Sequence, residues 1–176
     1  LSRETTTQAR SDRQAEIAAE MGIVSKGQNI VFEYRRAGVL LWRQFRYAVK
    51  NKDGSIDKTF ACFAPDGRKL KDAGIALSFW NEDELCDTSL PEAPRIITEG
   101  QFDAASFRIA GATHVGSVPN GTVDKPGQGD IVPAEDRQFI YLWDGNRPRG
   151  GLATAKKIIL ATDGDHAGQV LRDELA

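Results

Sequence analysis

The residues best placed to do chemistry sit at the ends of two apolar runs. Near the C-terminus, "KKIILAT" stops abruptly at Asp163-Gly164-Asp165, inside the stretch "LATDGDHAG" from Leu160 to Gly168. Well upstream, "RIIT" runs straight into Glu99-Gly100. In parallel α/β sheets ligands collect beyond the carboxyl ends of the strands. If these two strands are neighbours, Glu99, Asp163 and Asp165 converge on one point from distant parts of the chain. Carboxylates gathered at neutral pH repel one another unless a cation lies among them. Hard oxygen donors of this kind suit Mg²⁺ or Mn²⁺, which keep positions open for water and substrate phosphate. Gly100 and Gly164 remove the β-carbon where a phosphate has to approach closely, and Gly168 leaves room for the start of the last helix. Two alternatives stay open. Asp165 has the right position to cap a helix over "AGQVLRDEL". Asp103, in the first turn of "FDAASFRIAG", suits the helix dipole better than a contact to the metal or its ligands.

A second set of candidates is cationic. Arg35, Arg36, Arg43, Arg46, Lys50 and Lys52 lie in a stretch with no acid, interleaved with Trp42, Phe45 and Tyr47. A solvated strand face explains the charges; a surface that meets phosphates and bases explains the aromatics as well. A period of two puts Leu41, Phe45, Tyr47 and Val49 on one face of the strand and Gln44, Arg46 and Lys50 on the other. Arg46 and Lys50 are therefore expected to point together out of a small sheet. His166 reads as an exposed loop residue and His114 as structural.

The elements that must position these groups fall into three segments. Residues 1–28 form an N-terminal helical segment, with helix formers from Asp12 to Met21 stopped by Gly22. Residues 29–91 form a basic, β-rich subdomain: "NIVFEY", "VLLWRQFRYAVKN", a turn at Asp53-Gly54, and "KTFACFAP". The "LSFWNEDEL" segment follows, with Trp80 as a hydrophobic anchor, and "SLPEAPR" reads as a linker. From 92 to 176, short apolar strands alternate with helices, which indicates a parallel sheet covered on both faces. There "RIIT", "HVGSVP" and "KKIILAT" are strands; "FDAASFRIAG", "EDRQFIYLW" and "AGQVLRDEL" are helices.

Composition narrows the class. Lys and Arg number 23 against 25 Asp and Glu, so total charge does not announce a nucleic-acid binder, and 40% hydrophobic residues suffice for a core. No run approaches the roughly 18 apolar residues of a membrane span. The polar start lacks a signal-peptide core, so a cytoplasmic location without membrane attachment is expected. Cys62 and Cys86 are too few and too far apart for a zinc cluster and read as free thiols. The absence of an initiator Met and the uncapped final helix suggest a piece of a longer protein.

In order, "IITEGQFDAASF", "VGSVPNGT" and "IILATDGDHAG" resemble the Toprim domain of DNA primases, in the version found in phage and mitochondrial-type primase-helicases. The resemblance runs from Arg95 to the end. The part from Asn29 to Pro91 is more loosely similar to the small subdomain that precedes Toprim, through "FRYAVKNKDG…KTF" and "LSFWNEDEL". It implies an α/β Toprim fold behind a small antiparallel β-rich subdomain. The implied activity is magnesium-dependent nucleotidyl transfer that makes short RNA primers on single-stranded DNA during DNA replication. The implied partners are the DNA template, ribonucleoside triphosphates and a helicase domain or subunit. By position, Glu99 matches a metal ligand or acid/base, Asp163 and Asp165 the metal pair, and Asp103 the acid that often follows the Glu-Gly. Arg46 and Lys58 match basic residues lining the template and nucleotide groove. His166 departs from the pattern, and a further acid expected after the next strand would lie past Ala176. Strand cleavage of the nuclease or topoisomerase type, and a non-catalytic nucleic-acid-binding module, remain as alternatives.

Overall fold

The computed structural model describes residues 3–26, 29–75, 77–119 and 150–176. Helix α1 (Arg3–Glu20) starts well before the expected Asp12 and ends where foreseen. Gly22, at φ +75°, takes the left-handed conformation that closes a helix, and its carbonyl accepts from Glu33 N–H at 2.9 Å. That bond leads directly into β1 (Ile23–Lys26), a strand inside the segment expected to be helical.

Strands β2 (Asn29–Arg36), β3 (Val39–Lys50) and β4 (Ile56–Phe63) complete an antiparallel sheet in the order β1-β2-β3-β4. The β2–β3 turn is two residues long, with Ala37 at φ +50° and Gly38 at φ +73°, the geometry of a type I′ hairpin. A left-handed alanine is costly. Here the Asp83 carboxylate offsets it by accepting from Ala37 N–H at 2.6 Å and Gly38 N–H at 2.8 Å. Asp83 lies on the short helix α3 (Glu82–Leu85), and next to it Glu82 binds Arg36 through two nitrogens, at 2.8 and 3.1 Å. The loop after β4 carries another short helix, α2 (Leu70–Ala73).

Beyond α3, the expected linker is held in place by a buried cation. Arg95 donates to the carbonyls of Leu90, Ala93 and Asp87 at 3.2, 2.8 and 2.7 Å. The second sheet is parallel, as its apolar strands predict. Strand β5 (Arg95–Thr98) lies at the centre, between β6 (Val115–Ser117) and β7 (Ile158–Ala161). Every residue of β5 is buried, and α4 (Gln101–Ile109) carries the chain from β5 to β6. Short α5 (Gly150–Ala153) precedes β7, and α6 (His166–Leu175) follows it. The expected helix at "EDRQFIYLW" and the Pro-Asn-Gly loop fall largely or wholly outside the described residues.

One core joins the two sheets. Phe32, Tyr34 and Trp42 of the antiparallel sheet pack in the same cluster as Trp80, Ile96, Ala104, Ala105 and Val115. Trp80 is the anchor foreseen. Fully buried, it stands edge-on to Phe32 at 5.8 Å, and its backbone pairs with Ser117 on the side of β6 away from β5, at 2.9 and 3.2 Å. Deeper still, Gln101 Nε2 donates to Tyr34 Oη at 2.6 Å and to Gln44 Oε1 at 2.8 Å. This buried polar contact fixes how the start of α4 sits on the sheet. His114, at φ +53° and 2% exposed, sets Nδ1 3.0 Å from the Glu84 carbonyl, which agrees with a structural role. Cys62 and Cys86 are not joined in a disulfide, and burial raises the pKa of Cys62. No helix among the described residues is long and apolar enough to cross a membrane.

Candidate functional site

Parallel pairing decides where the acids meet. β5 and β7 are neighbours, with Thr98 level with Ala161, so both strands end on the same line. The next residues bring Glu99 Oε2 to 3.3 Å from Asp163 N–H. The two strand-end acids expected to be neighbours are therefore neighbours. At the start of α6, Asp165 has extended backbone, and its Oδ1 accepts from Gly168 N–H at 2.8 Å. The capping role weighed for Asp165 is the geometry found; a carboxylate capping through one oxygen keeps the other available. Gly168 is held to glycine by contact: a β-carbon there would lie 2.2 Å from the Asp163 carbonyl oxygen. At Gly164 a β-carbon would meet nothing within 4 Å, so that position faces open space.

Among the described residues, no group of three or more His, Cys, Asp or Glu side chains is gathered closely enough to hold a metal ion. Nor does any Lys or Arg ion-pair with Glu99, Asp163 or Asp165 among them. Carboxylates at two adjacent strand ends are hard oxygen donors, the ligand type that a divalent cation such as Mg²⁺ takes. Asp103 lies in the first turn of α4, where the helix dipole favours it. At Gly100, just before that turn, a β-carbon would lie 2.7 Å from Asp103 Oδ2, so a larger residue there would push the Asp103 carboxylate aside.

A cleft of about 190 Å³ opens beside Glu99, where the antiparallel sheet meets the start of α4. Phe32, Arg46, Lys58 and Phe60 line it from the sheet; Gly100, Gln101, Phe102 and Asp103 line it from the helix. Two expected groove residues, Arg46 and Lys58, are thus brought together, and Asp103 and Gly100 join them. Lys50 is not part of the cleft. It lies farther along the same strand face, opposite Ile56 near the hairpin end.

The expectation about faces requires a correction. The Gln44 and Arg46 face does not look out to solvent over its whole length. With Trp42 it is the inner face: Trp42 and Gln44 are buried, and only from Arg46 onward does the strand emerge from the core. The alternation was right, but which face is covered depends on where α4 and Trp80 dock. Trp42, stacked on Tyr34 at 3.5 Å, is core. Phe45 and Tyr47 stack on each other at 6.1 Å on the opposite face, away from Arg46. None of these three aromatics lines the cleft.

Ion pairing thins the basic stretch as well. Arg35 and Arg43 both bind Glu33, at 2.6 and 3.0 Å, and Arg36 binds Glu82. Glu33 pays for burial with desolvation, which alone would raise its pKa, yet hydrogen bonds and charge from Arg35 and Arg43 together hold it below the usual carboxylate value. Arg46, Lys50, Lys52 and Lys58 have no carboxylate partner among the described residues.

No family model matches the chain. It is similar over 83 residues, 46% of its length, to two proteins of Arabidopsis thaliana. It is 37% identical to the Twinkle homolog protein, chloroplastic/mitochondrial, and 40% identical to the Primase homolog protein. Those matches cover 11% of the first and 23% of the second, so the chain spans less than a quarter of either relative. Among solved structures it aligns with the zinc-binding and RNA polymerase domains of Aquifex aeolicus primase. That alignment covers 98% of this chain and 39% of the other, with a TM-score of 0.47 and 16% identity.

Phe60 and Phe102 were missed from the sequence. Phe60 is 50% exposed and Phe102 40% exposed, and the Arg46 guanidinium lies 4.8 Å over the Phe102 ring. The signal was weak but present. Phe60 shares the strand parity of Lys58, and Phe102 follows Glu99-Gly100 by two positions.

Proposed function

We propose that this chain is the RNA-polymerase portion of a Toprim-type DNA primase of the phage and mitochondrial primase-helicase kind. It would make short RNA primers on single-stranded DNA by metal-dependent nucleotidyl transfer. The observation that carries this is the level ending of β5 and β7, which sets Glu99 against Asp163 beside a cleft lined by Arg46 and Lys58, neither of them paired to a carboxylate among the described residues. The sequence relatives, one a Primase homolog protein and one a Twinkle homolog protein, support the same reading. The resemblance to primase-helicases motivates a helicase domain or subunit as partner.

Glu99, Asp163 and the second oxygen of Asp165 would hold Mg²⁺ or Mn²⁺, with Asp103 supporting them through α4. The cation supplies charge neutralisation on the triphosphate of an incoming ribonucleotide. Glu99 takes the proton of the primer 3′-hydroxyl as its oxygen bonds to the α-phosphorus and pyrophosphate leaves. Gly100 and Gly164 leave the strand ends without a β-carbon where the phosphates would approach. Arg46, Lys50 and Lys58 hold the template through its backbone, which gives affinity without sequence choice. Cleavage through a tyrosine finds no support in the described residues. Tyr34 is buried against Gln101, and burial raises its pKa; Tyr47 lies on the far face of β3.

The test is primer synthesis on single-stranded DNA with ribonucleotides and Mg²⁺, by a chain that continues beyond Ala176, beside its Asp163→Asn variant. Primers from the parent alone are expected. Equal synthesis by both would overturn the assignment, and nicking of plasmid without nucleotides would favour strand cleavage.

A further inference from the structure

We propose that Phe60 and Phe102 form a stacking site for one base of the single-stranded DNA, seated in the cleft between β4 and the first turn of α4. This rests on the nucleic-acid reading given above and adds residues to it that lie outside the acidic and basic sets. Phe60 and Phe102 are 50% and 40% exposed at the same cleft, so a flat ring laid against them would remove apolar surface from water, which is favourable. Phe60 has no ring partner among the described residues, whereas Phe102 is braced edge-on by Phe32 at 5.4 Å and faced by the Arg46 guanidinium at 4.8 Å. A braced ring and a free one, on two different elements, line one cleft.

Size and charge select the occupant. At about 190 Å³ the cleft is smaller than the ~300–1,000 Å³ pockets of drug-sized ligands. It takes one flat ring system. Charge is segregated around it: Asp103 lies on the helix side, whereas Arg46, Lys58 and Lys50 share the inner face of the sheet and continue toward the hairpin. A phosphate is repelled from the Asp103 side and attracted to the cationic track. The uncharged base therefore turns into the cleft while the backbone follows β3 and β4. Stacking of this kind is indifferent to sequence because every base has a π-face.

The test is fluorescence anisotropy with a short labelled DNA strand and with the same strand carrying abasic sites, using the parent chain, Phe60→Leu, Phe60→Trp and Lys58→Ala. Phe60→Leu is expected to weaken binding of the intact strand about tenfold, Phe60→Trp to restore it, and the abasic strand to bind parent and Phe60→Leu alike. The salt dependence of Phe60→Leu should match the parent, whereas that of Lys58→Ala should be shallower. If Lys58→Ala weakens binding while Phe60→Leu and the abasic strand both match the parent on intact DNA, stacking is overturned and the nucleic-acid reading survives. No binding by the parent overturns both.

Discussion

The two sheets carry the two halves of the candidate site by different means. In the parallel sheet, backbone pairing does the positioning: β5 and β7 end level, and Glu99 and Asp163 meet because each is the first or second residue past a strand end. Substituting any side chain within those strands leaves that convergence intact as long as the sheet forms. In the antiparallel sheet, one continuous face passes from Trp42 and Gln44 in the core, through Arg46 and Phe60 at the cleft, to Lys50 and Ile56 in the open. Which of its residues work on a ligand depends on how far α4 and Trp80 cover it. Register thus builds the acidic half and docking builds the basic half, so the two halves should respond differently to damage.

The strongest way to separate them is to break the join. Trp80→Ala removes a fully buried indole shared by both sheets, at a cost of about 3–5 kcal/mol. Thermal unfolding should show a large fall in Tm. In whatever folded population remains, binding of DNA along Arg46 and Lys58 should suffer before the Glu99–Asp163 contact does. Equal loss of both would mean that the parallel pairing also depends on the join.

A smaller effect sharpens the acidic half. Asp165→Ala deletes the bond from Gly168 N–H, a loss of about 0.5–2 kcal/mol for an N-cap. Asp165→Asn keeps a side-chain oxygen for the cap but not the charge. If Asp165 only caps, Asn should recover both stability and Mn²⁺ binding measured by calorimetry. If it is also a ligand, Asn should recover stability alone.

The smallest expected effect is on pH dependence, and it belongs to the antiparallel sheet. Glu33 is held below its unfolded pKa by Arg35 and Arg43 against the opposing effect of burial. A carboxylate with a depressed folded pKa stabilises the fold above its unfolded value and loses that contribution as pH falls through the folded one. Acid titration of Glu33→Gln should therefore show a flatter fall in stability below the ordinary glutamate range than the parent. Parallel curves would mean that the Glu33 pairs are too solvent-screened to matter.

Much of this was readable along the chain because its cause is local. Unbroken apolar runs such as "RIIT" and "KKIILAT" call for parallel strands between helices. The pairing is as expected, but only β5 is buried throughout, whereas β7 is exposed at Ile158 and half-buried from Ile159 to Ala161. The acids and glycines right after them then fall at the ligand end of the sheet. The turn at Asp53-Gly54, the stop at Gly22 and the anchor at Trp80 are equally local signals. β1 escaped because "IVSK" is four residues long and offers no alternation to read. The type I′ turn at Ala37-Gly38 escaped because the left-handed alanine is held by Asp83, far away in sequence.

Strand parity is a property of the chain: Gln44, Arg46 and Lys50 had to share a face, because successive side chains alternate. Which face becomes interior is not, since both faces of β3 carry aromatic and basic residues in similar measure. Docking of α4, fixed by Gln101 reaching Tyr34 and Gln44, settled it. That contact turned Trp42 into core, left Phe45 and Tyr47 on the outer side, and opened the cleft in which Arg46, Lys58, Phe60 and Phe102 meet.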